Sequence, residues 1–310
     1  MARGEALRVR DLAPGDVGAV QRLLQTSDHV YRRFTTEELP HVLATYPALG
    51  LFSVPPGPLA HITAGTLQAY LLINALVPPS AWIGGFGVVW SASERFADYL
   101  DLLLPALERA AARRGAGSLY YSGNDMEGDW LRAALEARGF RLITTLRSYD
   151  KDDSAIPTWG NPHVVVRPFV EADLPGVLAV EEEAFAQLWR HDAAGFLEVN
   201  QTYPYFVVAG DATGIVGYQF NAVDSGSGYL VRIAVHPRAA GQGIGTRLMA
   251  EAIRYFSGRS AHQILLNTEE TNYRARRLYE RFGFSAVPPH GFVLGKEIQL
   301  VDGVPEPASA

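Results

Sequence analysis

IAVHPRAAGQGIGTRL, residues 233–248, joins an apolar β-type run to the start of a helix through a loop with three alternating glycines. The run ends at Val235, and His236-Pro237 breaks it. Beyond the loop, Ile244, Leu248, Ala252 and Phe256 recur four apart, the spacing of an amphipathic helix. Gly241, Gly243 and Gly245 allow positive φ and let a ligand approach the backbone closely. The first N–H groups of a helix have no internal partner, and its dipole favours an anion there. The main chain of Ala240, Gly241, Gln242, Gly243, Ile244, Gly245 and Thr246 therefore reads as a pyrophosphate cradle. It is not a Walker loop, because Thr246 and Arg247 follow Gly245 where Lys would be needed. It is not a dinucleotide fingerprint either, because the third glycine comes one place early. A plain glycine-rich turn is the competing reading, but such a turn has no need of three entropically costly glycines.

Outward from this loop, the second half alternates. Residues 204–209, 215–223 and 229–235 read as strands, with a turn at 211–214 and a hairpin loop at 224–228. Residues 263–268 form a further strand, 272–282 a second helix, and 291–298 a closing strand. A hairpin followed by β-α-β-α-β implies a mixed sheet with helices on its faces.

The first half repeats the same ends. LRVRDLAPGD (7–16) matches VVVRPFVEAD (164–173): each places an Arg (Arg10, Arg167) six residues before an Asp (Asp16, Asp173). That Asp is expected to cap a helix. LEARGF (135–140) matches YERFGF (279–284), each a helix end stopped by Gly. Between the halves, DKDDSAIPTWGNP (150–162) has linker composition. The expected organisation is a first domain at 1–150, a linker at 151–162, a second domain at 163–300 and a disordered tail at 301–310.

Composition narrows the function. The chain has 310 residues, 48% hydrophobic, with a net charge of −6, which argues against a general nucleic-acid binder. It has no cysteine, which excludes disulfides, thiol nucleophiles and Cys-based zinc sites, and no metal is expected. The start carries no apolar leader, and the most apolar run, 70–78, is far below the roughly 20 residues of a membrane helix. A cytoplasmic protein without a membrane partner is the expectation; oligomeric state is not legible.

AGQGIG (240–245) resembles the acyl-CoA loop of the GNAT superfamily of N-acetyltransferases, Q/R-x-x-G-x-G/A. IAVHP (233–237) and NYRARRLYERFGF (272–284) resemble the same family in order and spacing. Ala240 departs from the pattern, and weaker affinity is expected from it. The resemblance implies an α/β fold of two tandem GNAT-like domains, each a mixed, mostly antiparallel sheet with helices on both faces. It also implies an acetyl-CoA co-substrate and transfer to a primary amine, of a small molecule or a protein, by direct attack in a ternary complex. The backbone of Ile233, Ala234 and Val235 would hold pantetheine, and an N–H near Val235 would polarise the thioester carbonyl.

Asn272 and Tyr279 match the family's Asn and Tyr. Seven residues are two helical turns, so both lie on one face. Tyr279 would protonate the departing thiolate; Asn272 also reads as a helix N-cap. Tyr229 and Asn267 stand where relatives often carry a Glu base. Glu269, two residues beyond Asn267 and on the same side of a strand, is the remaining candidate, beside a water relay or a neutral acceptor. Glu270 reads as a solvated charge. Arg274, Arg276 and Arg277 read either as contacts to the CoA 3′-phosphate or as exposed helix arginines. Residues 181–192, with Trp189 and His191, and Tyr203 and Tyr205 beyond them, read as an acceptor wall or as packing. The first half has no glycine in the matching stretch VVWSASERFADYL (88–100), and Leu135 in place of Tyr279. It reads as a degenerate copy. A non-catalytic acyl-CoA-binding or regulatory module is the alternative function.

Overall fold

The computed structural model describes residues 6–54 and 65–299; the expected disordered tail, 301–310, lies outside them. The elements run β1 (Ala6–Asp11), α1 (Val17–Thr26), β2 (Val30–Arg32), α2 (Leu39–Thr45), β3 (Ala48–Val54), β4 (Thr66–Val77), β5 (Ser80–Val88), α3 (Phe96–Ala112), β6 (Ser118–Gly123), α4 (Arg132–Glu136) and β7 (Arg141–Lys151). They continue as β8 (Val165–Pro168), α5 (Leu174–Ala184), α6 (Ala193–Thr202), β9 (Tyr205–Asp211), β10 (Gly214–Asp224), β11 (Ser227–Val235), α7 (Ile244–Gly258), β12 (Gln263–Glu269), α8 (Tyr273–Arg281) and β13 (Ser285–Glu297). Leaving out β2, the order β-α-α-β-β-β-α-β-α-β occurs twice.

The chain gathers into two compact units. One holds the chain up to Ser122, Trp130–Arg141 and the chain from Leu294; the other holds Gly123–Asp129 and Leu142–Val293. Sequence order and spatial grouping therefore part at two places. β7, which ends the first half, lies from Leu142 onward in the second unit. β13 passes into the first unit at Leu294, where the Ile298 N–H donates to the Gly117 carbonyl at 2.9 Å.

In the first unit the strand order is β1-β3-β4-β5-β6, with a core between β3, β4 and helices α1 and α2 that includes Val20, Leu23, Leu39, Val42, Phe52 and Tyr70. In the second the order is β13-β7-β12-β11-β10-β9-β8. One face buries Phe196, Phe206, Tyr218 and Phe220 beneath α5 and α6. The other buries Met249, Ile253, Phe256 and Tyr279 of α7 and α8. Of the strand pairings described, only β5–β6 and β11–β12 are parallel.

The repeated Arg and Asp do the same work in both units: the Asp accepts the N–H that starts the 3-10 turn into the helix, while its side chain caps neither α1 nor α5. Arg167 donates two hydrogen bonds of 2.6 Å to Asp173, and Arg10 grips Asp16 the same way at 2.9 and 2.7 Å. The free carboxylate capacity goes back to the chain entering the turn, accepting from Val170 N and Ala13 N, both at 3.0 Å. The Asp thus staples a strand end to a helix start instead of satisfying the helix's own N–H groups. The repeated Gly matches the expected helix stops. Gly139 (φ +92°) and Gly283 (φ +83°) are left-handed, and the next residues, Phe140 and Phe284, bond back to Leu135 and Tyr279 carbonyls at 3.2 and 3.1 Å.

Candidate active site

β11 and β12 pair only at Ser227↔Gln263, Gly228↔Ile264 and Tyr229↔Leu265. Past Tyr229 the two strands separate. The register of β11 against β10 slips there, from Asn221↔Leu230 to Phe220↔Arg232, so Val231 is an extra, bulged residue. A bulge raises local twist and re-aims side chains, which fits the divergence. The His236 N–H donates to Val216 of β10 at 2.9 Å. Peptide groups alternate sides along a strand, so the N–H groups of Val235 and Ile233 face the opposite, unpaired edge.

That edge leads straight into the glycine loop. Gly241 (φ +77°) and Gly243 (φ +76°) are left-handed, a conformation costing other L-residues about 1–2 kcal/mol. Gly243 is the N-cap of α7, and its carbonyl accepts the first intrahelical bond from Arg247 N at 3.0 Å. The N–H groups of Ile244, Gly245 and Thr246 precede that bond and are free for an anion. The third glycine serves differently: a Cβ on Gly245 would stand 3.5 Å from Leu278 and 3.7 Å from Val235, on the inner wall. A Cβ on Gly243 would instead meet Asn161 N at 3.3 Å. The segment between β7 and β8, part of the second unit, reaches the loop's outer side at that point. Asn161 donates from Nδ2 to Gln242 O at 2.9 Å and from its backbone N to Gly243 O at 3.3 Å.

The separated strands, the loop, α8 and the segment after α5 enclose a cleft of about 950 Å³. Ile233, Ala234, Val235, Gly241, Gly243, Ile244, Gly245, Thr246, Asn272, Tyr279 and Glu269 all line it. Ala240 and Gln242 do not; both are exposed on the loop. Asn267 lines the cleft and Tyr229 does not. Among the described residues, no group of His, Asp and Glu is arranged to hold a metal ion.

Tyr279 is buried, and burial raises its pKa well above the ordinary tyrosine value, with the neighbouring Tyr149 adding to the shift and a hydrogen bond with Thr268 opposing it. The raised value keeps the hydroxyl protonated near neutral pH. The Asn272 side chain accepts from Ala275 N at 3.1 Å and so caps α8 while also facing the cleft. Arg274 and Arg277 line the cleft, whereas Arg276 is turned to Tyr149 and to the Glu270 carbonyl. Glu270 is not a loose surface charge. It accepts from Thr145 and Arg147, both at 2.7 Å, and those bonds hold its carboxyl below the usual range.

The cleft wall formed by the segment after α5 holds a buried charge pair that the sequence reading missed. Arg232, re-aimed by the bulge, donates to Glu181 and to the Trp189 carbonyl, each at 2.7 Å, and to the Tyr218 hydroxyl at 3.1 Å. Its guanidinium lies 3.7 Å from the centre of the Phe185 ring. Glu181 also binds the Tyr218 hydroxyl and accepts from His191 N at 2.8 Å. Burial opposes its charge, but the hydrogen bonds from His191 and the nearby Arg232 outweigh it and keep Glu181 below the usual carboxylate range. The pair locks residues 185–191, which carry Phe185 and Trp189 of the cleft wall, to β11. A signal was available: Arg232 interrupts an otherwise apolar strand.

The first unit has the same parallel strands, β5 and β6, paired only at 80–82 with 118–120. There the open edge is filled. β2 pairs with it at Val30↔Gly87, Tyr31↔Phe86 and Arg32↔Gly85.

A model of the acetyltransferase (GNAT) family matches residues 167–284. The chain is 31% identical over 123 residues to an uncharacterized N-acetyltransferase of Methanocaldococcus jannaschii, covering 39% of this chain and 78% of that one. It is 31% identical over 163 residues to a mycothiol acetyltransferase of Pseudarthrobacter chlorophenolicus, a match spanning 47% of this chain and about half, 49%, of that relative's length. Among solved structures, a GCN5-related N-acetyltransferase from Sphaerobacter thermophilus superposes with a TM-score of 0.61 at 18% identity, over 96% of this chain and 97% of that one. A tandem GNAT protein from the clavulanic acid biosynthesis pathway does so with 0.60 at 15% identity, over 96% and 100%. The chain belongs to the GNAT family of acetyltransferases.

Proposed function

We propose that the second unit is an acetyl-CoA-dependent N-acetyltransferase acting on a primary amine by direct attack in a ternary complex. The observation that carries this is the continuity of an unpaired β11 edge, a helix-capping glycine loop and the Tyr279 hydroxyl around one cleft. The loop N–H groups at 241–246 suit a pyrophosphate. The edge of Ile233–Val235 suits the amide groups of pantetheine, and the Val235 N–H suits the thioester carbonyl. The amine nitrogen bonds to the carbonyl carbon, the carbon–sulfur bond breaks, and the sulfur leaves with its electron pair and takes the Tyr279 proton. The amine sheds its own proton to Glu269 or to water, and solvent reprotonates Tyr279. Burial makes full ionisation of Tyr279 costly, so its contribution belongs at the lower end of the range for general acids, about 10²-fold.

The first half is read as a GNAT-like domain that has lost acyl-CoA binding. A non-catalytic acyl-CoA-binding module is the second reading, favoured by the absence of a carboxylate at Asn267. Thiol release from acetyl-CoA against alkyl amines, amino acids, amino sugars and short peptides distinguishes the two. Amine-dependent release supports the enzyme; acetyl-CoA binding without release with any acceptor supports the module.

A further inference from the structure

β7 ends the first half of the sequence, yet it pairs antiparallel with β12 beside the cleft: Leu266↔Tyr149, Asn267↔Ser148, Thr268↔Arg147 and Glu269↔Leu146. Its side chains reach the second unit's chemistry at several points. Leu146 lines the cleft. Thr145 and Arg147 hold the Glu270 carboxylate, and the Thr145 carbonyl accepts from Glu270 N at 2.9 Å. The Glu270 carbonyl in turn accepts from Arg276 at 2.9 Å, so β7 anchors the turn that launches α8.

The same strand supports the Tyr279 ring. Tyr149 is 1% exposed, and its ring stands edge-on to that of Tyr279 at 5.7 Å. Its hydroxyl accepts from Arg276 Nε at 3.3 Å, which ties the ring to α8 itself. α8 has only nine residues, and Tyr279 is its buried one, so the helix alone offers little to fix that side chain. We propose that β7 completes the catalytic cleft of the second unit, with Tyr149 as a positioning residue that holds the Tyr279 hydroxyl at the leaving sulfur. This rests on the reading of Tyr279 as the proton donor. It makes the working unit discontinuous in sequence, and gives the first half a part in catalysis without a co-substrate site of its own.

The test uses the full chain and hydroxylamine as the nucleophile. Hydroxylamine is largely neutral near pH 7, so no group need deprotonate it before attack, and solvent takes the proton its nitrogen loses afterwards. Thiol release from acetyl-CoA is measured, less the uncatalysed rate, for the parent, Tyr149→Phe, Tyr149→Leu, Tyr279→Phe and the Tyr149→Leu/Tyr279→Phe double variant. Misplacing a catalytic group by an ångström costs up to about 10²-fold. Tyr149→Leu should therefore lower kcat about tenfold at an unchanged KM for acetyl-CoA. Tyr149→Phe, which keeps the ring but loses its bond to Arg276, should lower kcat less than Tyr149→Leu does. In the Tyr279→Phe background Tyr149→Leu should cost nothing further, because the group it positions is gone. If Tyr149→Leu does not fold, Tyr149→Met carries the same comparison. Equal losses in both backgrounds, or parent kcat in Tyr149→Leu, overturns the positioning role while leaving Tyr279 in place. Parent kcat in Tyr279→Phe overturns both.

Discussion

The hydroxyl of Tyr31 lies 3.3 Å from the carbonyl oxygen of Ile83 and 3.1 Å from that of Ser122, bridging β5 and β6 where they separate. On either side of it, Arg33 N donates to Gly84 O at 2.8 Å and Val88 N donates to His29 O at 3.2 Å. β2 thus occupies the edge that, in the second unit, β11 leaves open.

The chain should therefore bind one acetyl-CoA, and in the second unit. The first has no glycine between β5 and α3, and its strand edge is already hydrogen-bonded. Calorimetric titration with acetyl-CoA should give a stoichiometry near one per chain. A value near two would show that β2 yields to a ligand.

The glycines of the loop should separate by role. Gly245→Val adds methyl groups beside Val235 and Leu278, inside the cleft. Overpacking typically costs about 1–3 kcal/mol, so acetyl-CoA affinity should fall by about 5- to 150-fold. Gly243→Val should act mainly on the fold, through a left-handed φ and the contact with Asn161, lowering the melting temperature as well as affinity. Asn161→Ala should weaken acetyl-CoA binding a few-fold at near-parent kcat, since it removes about 1 kcal/mol of hydrogen bonding to the loop's outer side. Parent affinity in Gly245→Val with normal melting would mean that the pyrophosphate lies elsewhere.

The pair of Glu181 and Arg232 sets an acid-side stability limit. The fold holds Glu181 below its ordinary value of 4.5, so folding favours the ionised carboxylate. That stabilisation is complete above the unfolded-state pKa and is lost as pH falls through the lower folded one. Glu181→Gln leaves Arg232 unpaired in a buried site, which costs about 3 kcal/mol near neutral pH. Denaturant unfolding of parent and variant should show this gap near pH 7 and a gap that closes as pH falls below the ordinary glutamate value of 4.5. A gap independent of pH would mean the contribution is packing and not charge.

The glycine loop, the alternating elements around it and the Asn272–Tyr279 spacing were legible because each is written in consecutive residues with a fixed period. The repeated Arg and Asp were legible as a repeat, but their chemistry was read only in part. A carboxylate near a helix start signals a cap, and nothing local shows that Arg167, six residues earlier, will take it. What escaped the sequence is long-range. Tyr149 and Leu146 precede their β12 partners Leu266 and Glu269 across the whole second half, and Glu181 meets Arg232 through a bulge that no periodicity marks. Residues 152–162 were legible as a break in composition, but they lie within the second unit, and their grip on Gly243 through Asn161 was not legible because backbone carbonyls carry no sequence identity.

Replacing the Tyr279 hydroxyl is the most direct test of acetyl transfer in the second unit. Tyr279→Phe keeps the ring against Tyr149 and removes only the proton donor. With the best amine acceptor and saturating acetyl-CoA, kcat should fall about 10²-fold while the dissociation constant for acetyl-CoA stays within about twofold of the parent. Equal kcat in the two proteins, measured where the chemical step limits the rate, would remove Tyr279 from the mechanism.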